Sequence, residues 1–159
     1  MKTNRFVVFA LSGLMFGVAI TAAAFAQSAH AVVPADKVQW GPAPAILPAG
    51  AQLAVLEGNP GEKGTLVLRL KMPANYKIPA HWHSMDERVT VLSGTFNIGM
   101  GDKLSPHGSQ ALTPGGFVSL PAKMRHFAWT SVPTIVQIDL NGPFDLFYVD
   151  PKDNPQQAK

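Results

Sequence analysis

Between residues 65 and 148 apolar side chains recur at every second position, in short runs that turn residues interrupt. In "TLVLRLKM", Leu66, Leu68, Leu70 and Met72 share one parity, while Arg69 and Lys71 face the other way. The same spacing links Phe96, Ile98 and Met100 in "TFNIGM", Val136, Ile138 and Leu140 in "TIVQIDL", and Phe144, Leu146 and Tyr148 in "FDLFYV". A period of two puts such residues on one face of a strand. The runs are separated by "EGNPGEKG", "LSG", "GMGDK", "TPGG" and "NGP", the composition of tight turns. Upstream, "VQWGPAPAILPAG" carries Pro42, Pro44 and Pro48, which prevent a long helix, and reads as an extended lead-in ending in a turn at Ala49-Gly50. Past residue 26 no segment sustains a helical period, so the pattern predicts an all-β sandwich or barrel. The polar stretch "DPKDNPQQAK" predicts a frayed tail.

The first 26 residues, "MKTNRFVVFALSGLMFGVAITAAAFA", have a different character. Lys2 and Arg5 precede an apolar run that ends in Ala24-Phe25-Ala26, the arrangement of a cleavable secretory signal helix, with Gln27 as the mature N-terminus. Ala29-His30-Ala31 offers a second cleavage point. An uncleaved anchor is the competing reading, since about 20 apolar residues span a bilayer. Ala and Gly dilute the run, however, and the small-residue site is well formed. The expected organisation is therefore a signal peptide over 1–26, an N-terminal arm over 27–49, one β-barrel domain over 50–150 and a polar tail over 151–159, in a periplasmic or secreted protein with no stable membrane anchor once processed.

Removing the leader changes the charge balance. The chain has 159 residues, 47% of them hydrophobic and 14% charged, with 13 basic and 10 acidic side chains. Two of the basic ones belong to the leader, so the exported domain is close to neutral and carries no Lys/Arg cluster of the kind that marks a nucleic-acid partner. There is no cysteine, which excludes disulfides, thiolate catalysis and Cys-bound zinc.

The chemistry concentrates in "HWHSMDE", residues 81 to 87, in a chain with five histidines. On a strand, His81 and His83 share a face, and Glu87 has the same parity, with "SMD" free to bulge between them. Two imidazoles and a carboxylate suit a divalent first-row metal. The best candidate for a fourth ligand is His126 in "LPAKMRHFAWT", where Pro121 marks a turn and His126 and Ala128 share one face, opposite Phe127 and Trp129. Left without a metal, three imidazoles and a carboxylate converging in an apolar barrel would each need a hydrogen-bond partner.

These residues resemble the two motifs of the cupin superfamily. The first motif is Gly, five residues, His-x-His, three or four residues, Glu, six residues, Gly; His81, His83, Glu87 and Gly94 match it, with Asn75 in place of the first Gly. The second is Gly, five residues, Pro-x-Gly, two residues, His, three residues, Asn; Gly115, Pro121 and His126 match it, with Lys123 and Thr130 in place of the inner Gly and the final Asn. The resemblance covers roughly residues 50 to 150 and is greatest to small single-domain bacterial cupins. It implies a double-stranded β-helix, or jelly-roll barrel, in which His81, His83, Glu87 and His126 bind one divalent ion (Fe, Mn, Zn or Ni). It also implies a possible homodimer and room for a small-molecule ligand.

Other residues carry less. His107 reads as a solvated loop residue, and His30 lies in the arm or is lost on processing. Arg88, Arg125 and Asp86 read as surface groups, Trp82, Phe127 and Trp129 as packing on the outer side of their strands, and Tyr76 as packing or barrel mouth. The residues support two functions. One is a metal-dependent oxidoreductase of dioxygenase type acting on a small oxygenated molecule; the resemblance also permits isomerases and hydrolases. The other is a non-catalytic module that binds a metal or small ligand.

Overall fold

The computed structural model describes residues 31–157; the predicted signal segment and His30 lie outside them. Eleven strands are present among the described residues: β1 (Gly41–Pro42), β2 (Gln52–Glu57), β3 (Gly64–Met72), β4 (Lys77–Trp82), β5 (Glu87–Ser93), β6 (Phe96–Met100), β7 (Ser109–Leu112), β8 (Phe117–Leu120), β9 (His126–Thr130), β10 (Thr134–Gly142) and β11 (Phe147–Tyr148). They form a six-stranded sheet in the order β1-β2-β3-β10-β5-β8 and a five-stranded sheet in the order β11-β4-β9-β6-β7. Every pairing is antiparallel. These two sheets are the all-β sandwich that the alternation predicts, in the jelly-roll form that the resemblance implies.

The period-two residues build the core where the strands align. Leu66, Leu68 and Leu70 of β3 stand opposite Leu140, Ile138 and Val136 of β10, and β10 in turn faces Val89 and Val91 of β5. All of them are buried, against Ile78, Phe96, Ile98 and Ala128 of the other sheet. Each such side chain contributes about 1.5–3 kcal/mol on leaving water. One row breaks the chemistry: across β3, β10, β5 and β8 the register runs Leu66, Leu140, Glu87, Leu120, placing a carboxylate among leucines on the inward face.

Three local expectations change. Met100, at the end of β6, is 49% exposed and does not extend the Phe96–Ile98 face into the core. "FDLFYV" is not one strand: the chain leaves β10 on the six-stranded sheet and must reach the edge of the five-stranded one, so only Phe147–Tyr148 pair, with Trp82 and His81. Leu146 is nevertheless buried. The tail is not simply frayed, since Pro151–Asp153 forms a 3-10 turn whose Asp150 side chain accepts from the Lys152 amide. The proline-rich arm adds β1 to the edge of its own sheet, where Pro42 breaks no inner ladder.

The two turn positions that depart from the cupin motifs keep the motif's backbone. Asn75 and Lys123 have φ of 61° and 65°, the left-handed region that glycine normally fills. Asn tolerates it; a lysine is strained there by about 1–2 kcal/mol. Thr130 serves the strand ends: its hydroxyl donates to the Pro73 carbonyl at 2.7 Å and accepts from the Tyr76 amide at 3.2 Å. The motif glycine at 94 has no such latitude, because φ is +78° and an added Cβ would lie 2.3 Å from the Pro133 carbonyl oxygen.

Gly94→Ala is therefore expected to cost about 3 kcal/mol or more, the sum of left-handed strain and overpacking. Lys123→Gly is expected to stabilise by about 0.5–1 kcal/mol, the relieved strain less the extra freedom of glycine in the unfolded chain. Urea denaturation of both variants checks the opposite signs.

Candidate metal centre

His81 reaches the interior through an irregularity in its strand. Ile78 and His81 both line the central cavity although they are three residues apart, because the β4–β9 register shifts between them. Such a bulge reverses the parity of the residues beyond it. It sets His81 directly across from His126 of β9. His83 is the first residue past the end of β4 and is buried at 4% exposure.

Glu87 arrives by a route that parity alone did not reveal. It does not continue the His81–His83 strand with a bulge in "SMD". The chain leaves the five-stranded sheet after Trp82, turns through Ser84–Asp86, and enters the six-stranded sheet with Glu87 as the first residue of β5. The corner is tied at both ends. Asp86 accepts from the Ala122 amide at 2.9 Å, and Asp145 accepts from the Ser84 amide at 2.8 Å and from the Ser84 hydroxyl. The carboxylate of Glu87 thus faces the histidines from the opposite wall.

The structure brings His81, His83 and His126 together, with one ring nitrogen from each lying within 4.8 Å of the others. Glu87 Oε2 is 3.6 Å from Nε2 of both His83 and His126. All four are buried. The Nδ1 atoms are engaged with backbone carbonyls: His81 with Pro79 at 2.7 Å, His83 with Asp145 at 2.5 Å and His126 with Met124 at 2.9 Å. A carbonyl only accepts, so each Nδ1 carries a proton, and a ring that is neutral then turns an Nε2 lone pair inward.

Burial holds the His81 imidazole well below its ordinary pKa, and the neighbouring His126 and His83 add to the shift. Burial lowers His126 as well, partly offset by the Glu87 carboxylate. At 3.6 Å the Glu87 oxygen is too far from Nε2 of His83 or of His126 for a hydrogen bond. His83 Nε2 is buried with no hydrogen-bond partner at all. A divalent cation fits this donor set. Donors about 2.0–2.2 Å from one ion stand roughly 3–4 Å apart; Glu87 keeps that spacing to His83 and His126, and the three histidine nitrogens lie within 4.8 Å of one another.

The cavity beside these groups measures about 30 Å³, room for an ion and a water or two, and its other walls are apolar. Leu47, Phe144 and Leu146 belong to segments outside the main strands. Two phenols fasten the Leu47 segment. Tyr148 donates to the Ile46 carbonyl at 2.8 Å, and Tyr76 donates to that of Pro48. Burial raises both hydroxyls, that of Tyr148 to about 12, so they remain protonated donors.

The other candidates lie apart from the site. His107, Arg88 and Asp86 are exposed, and so is Arg125, which pairs with Asp102 at 2.8 Å. Trp82 stacks on Phe147 with ring centroids 4.3 Å apart, and Trp129 donates to Ser109 at 3.1 Å. Phe127 is fully buried on the far side of its strand, over Gly99, where an added Cβ would meet the ring at 2.3 Å. Sequence reasoning missed Asp145, Leu47 and Tyr148. None of them has a spacing relation to the histidines, and they become neighbours only when the chain folds.

A model of the ChrR cupin-like domain matches residues 28–138. No curated protein matches the chain. Among solved structures, a candidate acetylacetone dioxygenase from Methylibium petroleiphilum is 22% identical, with a TM-score of 0.62 over 81% of this chain and 87% of that one. The polyketide cyclase RemF from Streptomyces resistomycificus is 17% identical, with a TM-score of 0.61 over 80% and 90%. KdgF from a Halomonas species is 19% identical, with a TM-score of 0.56 over 74% and 96%. At these identities the likeness is one of fold.

The two depressed histidines set a pH dependence. Their folded pKa values lie below the unfolded value of about 6.5, so in the acidic range the unfolded chain binds more protons than the folded one. Their contribution is present above about pH 6.5 and is lost as the pH falls below it, at up to about 1.4 kcal/mol per pH unit for each histidine. Denaturation of the metal-free protein at pH 7.5 and 5.5 should show the lower midpoint at pH 5.5.

Proposed function

Because this chain belongs to the ChrR cupin-like family, we propose that it is an exported metal-binding cupin whose His81, His83, Glu87 and His126 hold one divalent iron or manganese ion for oxidative chemistry on a small oxygenated molecule. The observation that carries the reading is the unpartnered Nε2 of His83, buried among two further imidazoles and a carboxylate. Three neutral rings and one carboxylate leave a divalent ion with a single net positive charge. An ion that prefers six ligands would keep two positions for a small ligand, whereas zinc, content with four, would be closed. Such an ion supplies Lewis acidity and, as iron, a redox partner for O2. The protein's own part is to aim the lone pairs, neutralise one charge with Glu87, and keep bulk water out with apolar walls. Export rests on the leader's basic start, apolar run and Ala-Phe-Ala ending.

A second reading has an observation of its own. Beyond the four candidate ligands, the residues lining the cavity are all apolar, so among the described residues no separate acid, base or nucleophile lines it. That favours a module that binds a metal or small ligand without turnover. The structural neighbours do not choose between the two, since proteins of this fold run different reactions.

Protein purified without added metal is expected to contain about one first-row ion per chain, and His83→Ala to lose most of it. Elemental analysis is the readout, and a metal-free wild type ends both readings. Oxygen uptake by the iron-loaded protein across a panel of small oxygenated compounds separates them: saturable uptake supports the enzyme, and a loaded but inert protein supports the binding module.

A further inference from the structure

The three histidines are not aimed in the same way. His81 and His126 each rest on the carbonyl two residues earlier in their own chain, Pro79 and Met124, so their orientation is set within the local backbone. His83 sits past the end of its strand and has no such support. Its Nδ1 meets the carbonyl of Asp145, 62 residues away on the connection between β10 and β11. The carboxylate of the same residue holds the Ser84 amide at 2.8 Å and the Ser84 hydroxyl. The Lys123 amide fixes the His83 carbonyl from the other side at 2.7 Å. One aspartate thus grips the ring of the histidine with its main chain and the backbone of the next residue with its side chain. Its neighbours Phe144 and Leu146 line the cavity, and the Phe144 ring lies 5.8 Å from that of His83.

We propose that Asp145 is the positioning residue for His83: its carboxylate locks the connection to the corner at Ser84, so that its carbonyl keeps His83 in the Nδ1–H tautomer with Nε2 facing the centre. This rests on the metal-centre reading and adds a residue to it. The division of labour reflects the chemistry of the two groups. The carbonyl selects the tautomer, because it can only accept a hydrogen bond, and the carboxylate keeps that carbonyl within reach. Without the carboxylate, the Ser84 amide loses its acceptor and the connection is free to shift. The ring could then exchange tautomers and present N–H, in place of a lone pair, to the centre. Groups that orient a metal-bound histidine typically contribute about 10–100-fold in affinity.

The test compares wild type, Asp145→Ala and Asp145→Asn by two readouts. In the metal-free protein, nitrogen-15 correlation spectra of the imidazoles report each tautomer. In the cobalt-loaded protein, chelator competition gives affinity and the visible d–d bands report ligand geometry. Asp145→Ala should move His83, and not His126, away from the pure Nδ1–H form, weaken cobalt about 10–100-fold and change the bands. Asp145→Asn should restore both, since its amide can still accept from the Ser84 N–H and donate to the hydroxyl. An unchanged His83 tautomer in Asp145→Ala overturns the proposal, even if the variant melts earlier, because that is what a merely structural contact would give. A shifted tautomer with unchanged affinity also overturns it. If the wild type binds no cobalt while the tautomer still shifts, the metal-centre reading fails and the positioning contact stands. Should Asp145→Ala not fold, Ser84→Ala, which removes a single hydroxyl from the clamp, is read in the same way with a smaller shift.

Discussion

The interior holds a cluster of three imidazoles and a carboxylate in which one buried atom, Nε2 of His83, has no hydrogen-bond partner among the described residues. These groups meet in a cavity with apolar walls, and each ring donates its Nδ1–H outward to a backbone carbonyl. Burying such groups without partners costs free energy that a packed apolar core must offset. The paired leucines, isoleucines and valines of β3, β10 and β5 supply that offset and hold the walls from which the ligands project.

The convergence depends on the chain crossing between its sheets within a few residues. His81 and His126 come from neighbouring strands of the five-stranded sheet, Glu87 from the six-stranded one, and His83 from the corner that joins them. A site assembled from two walls is as rigid as the connection between the walls. That connection is held by Asp86 on Ala122, Asp145 on Ser84 and the Lys123 amide on His83. The same neighbourhood tolerates a lysine in a glycine's conformation, since the Lys123 amide that anchors His83 belongs to that strained turn.

Size and closure bear on what the centre could admit. The space beside the histidines is that of a few water-sized groups at most, and Leu47, Phe144 and Leu146 lie across segments fastened partly by tyrosine hydroxyls. Side-chain hydrogen bonds of this kind contribute about 1 kcal/mol each, far less than the strand ladders beside them.

The all-β class, the parity of the core strands and the candidate ligand residues were legible in the chain, because a period of two and a fixed spacing of histidines are local properties. Leu66 to Met72 and Val136 to Leu140 needed nothing more than alternation to be placed inside. Asn75 and Lys123, which stand where the motifs have glycine, adopt the positive φ that favours glycine, so the motif spacing marked both turns. What local pattern could not supply was anything that depends on which wall a residue stands on. Alternation put Glu87 on the strand of His81 and His83 and made "FDLFYV" a strand, whereas the structure sends the chain from one sheet to the other at both places. Asp145, Leu47 and Tyr148 entered the site from distant parts of the chain. The sequence by itself determined the all-β class and which side chains could donate to a metal; the tertiary structure alone decided which sheet carries each of them and how they face one another, because orientation across a barrel is set by register and sheet crossing between segments far apart in the chain.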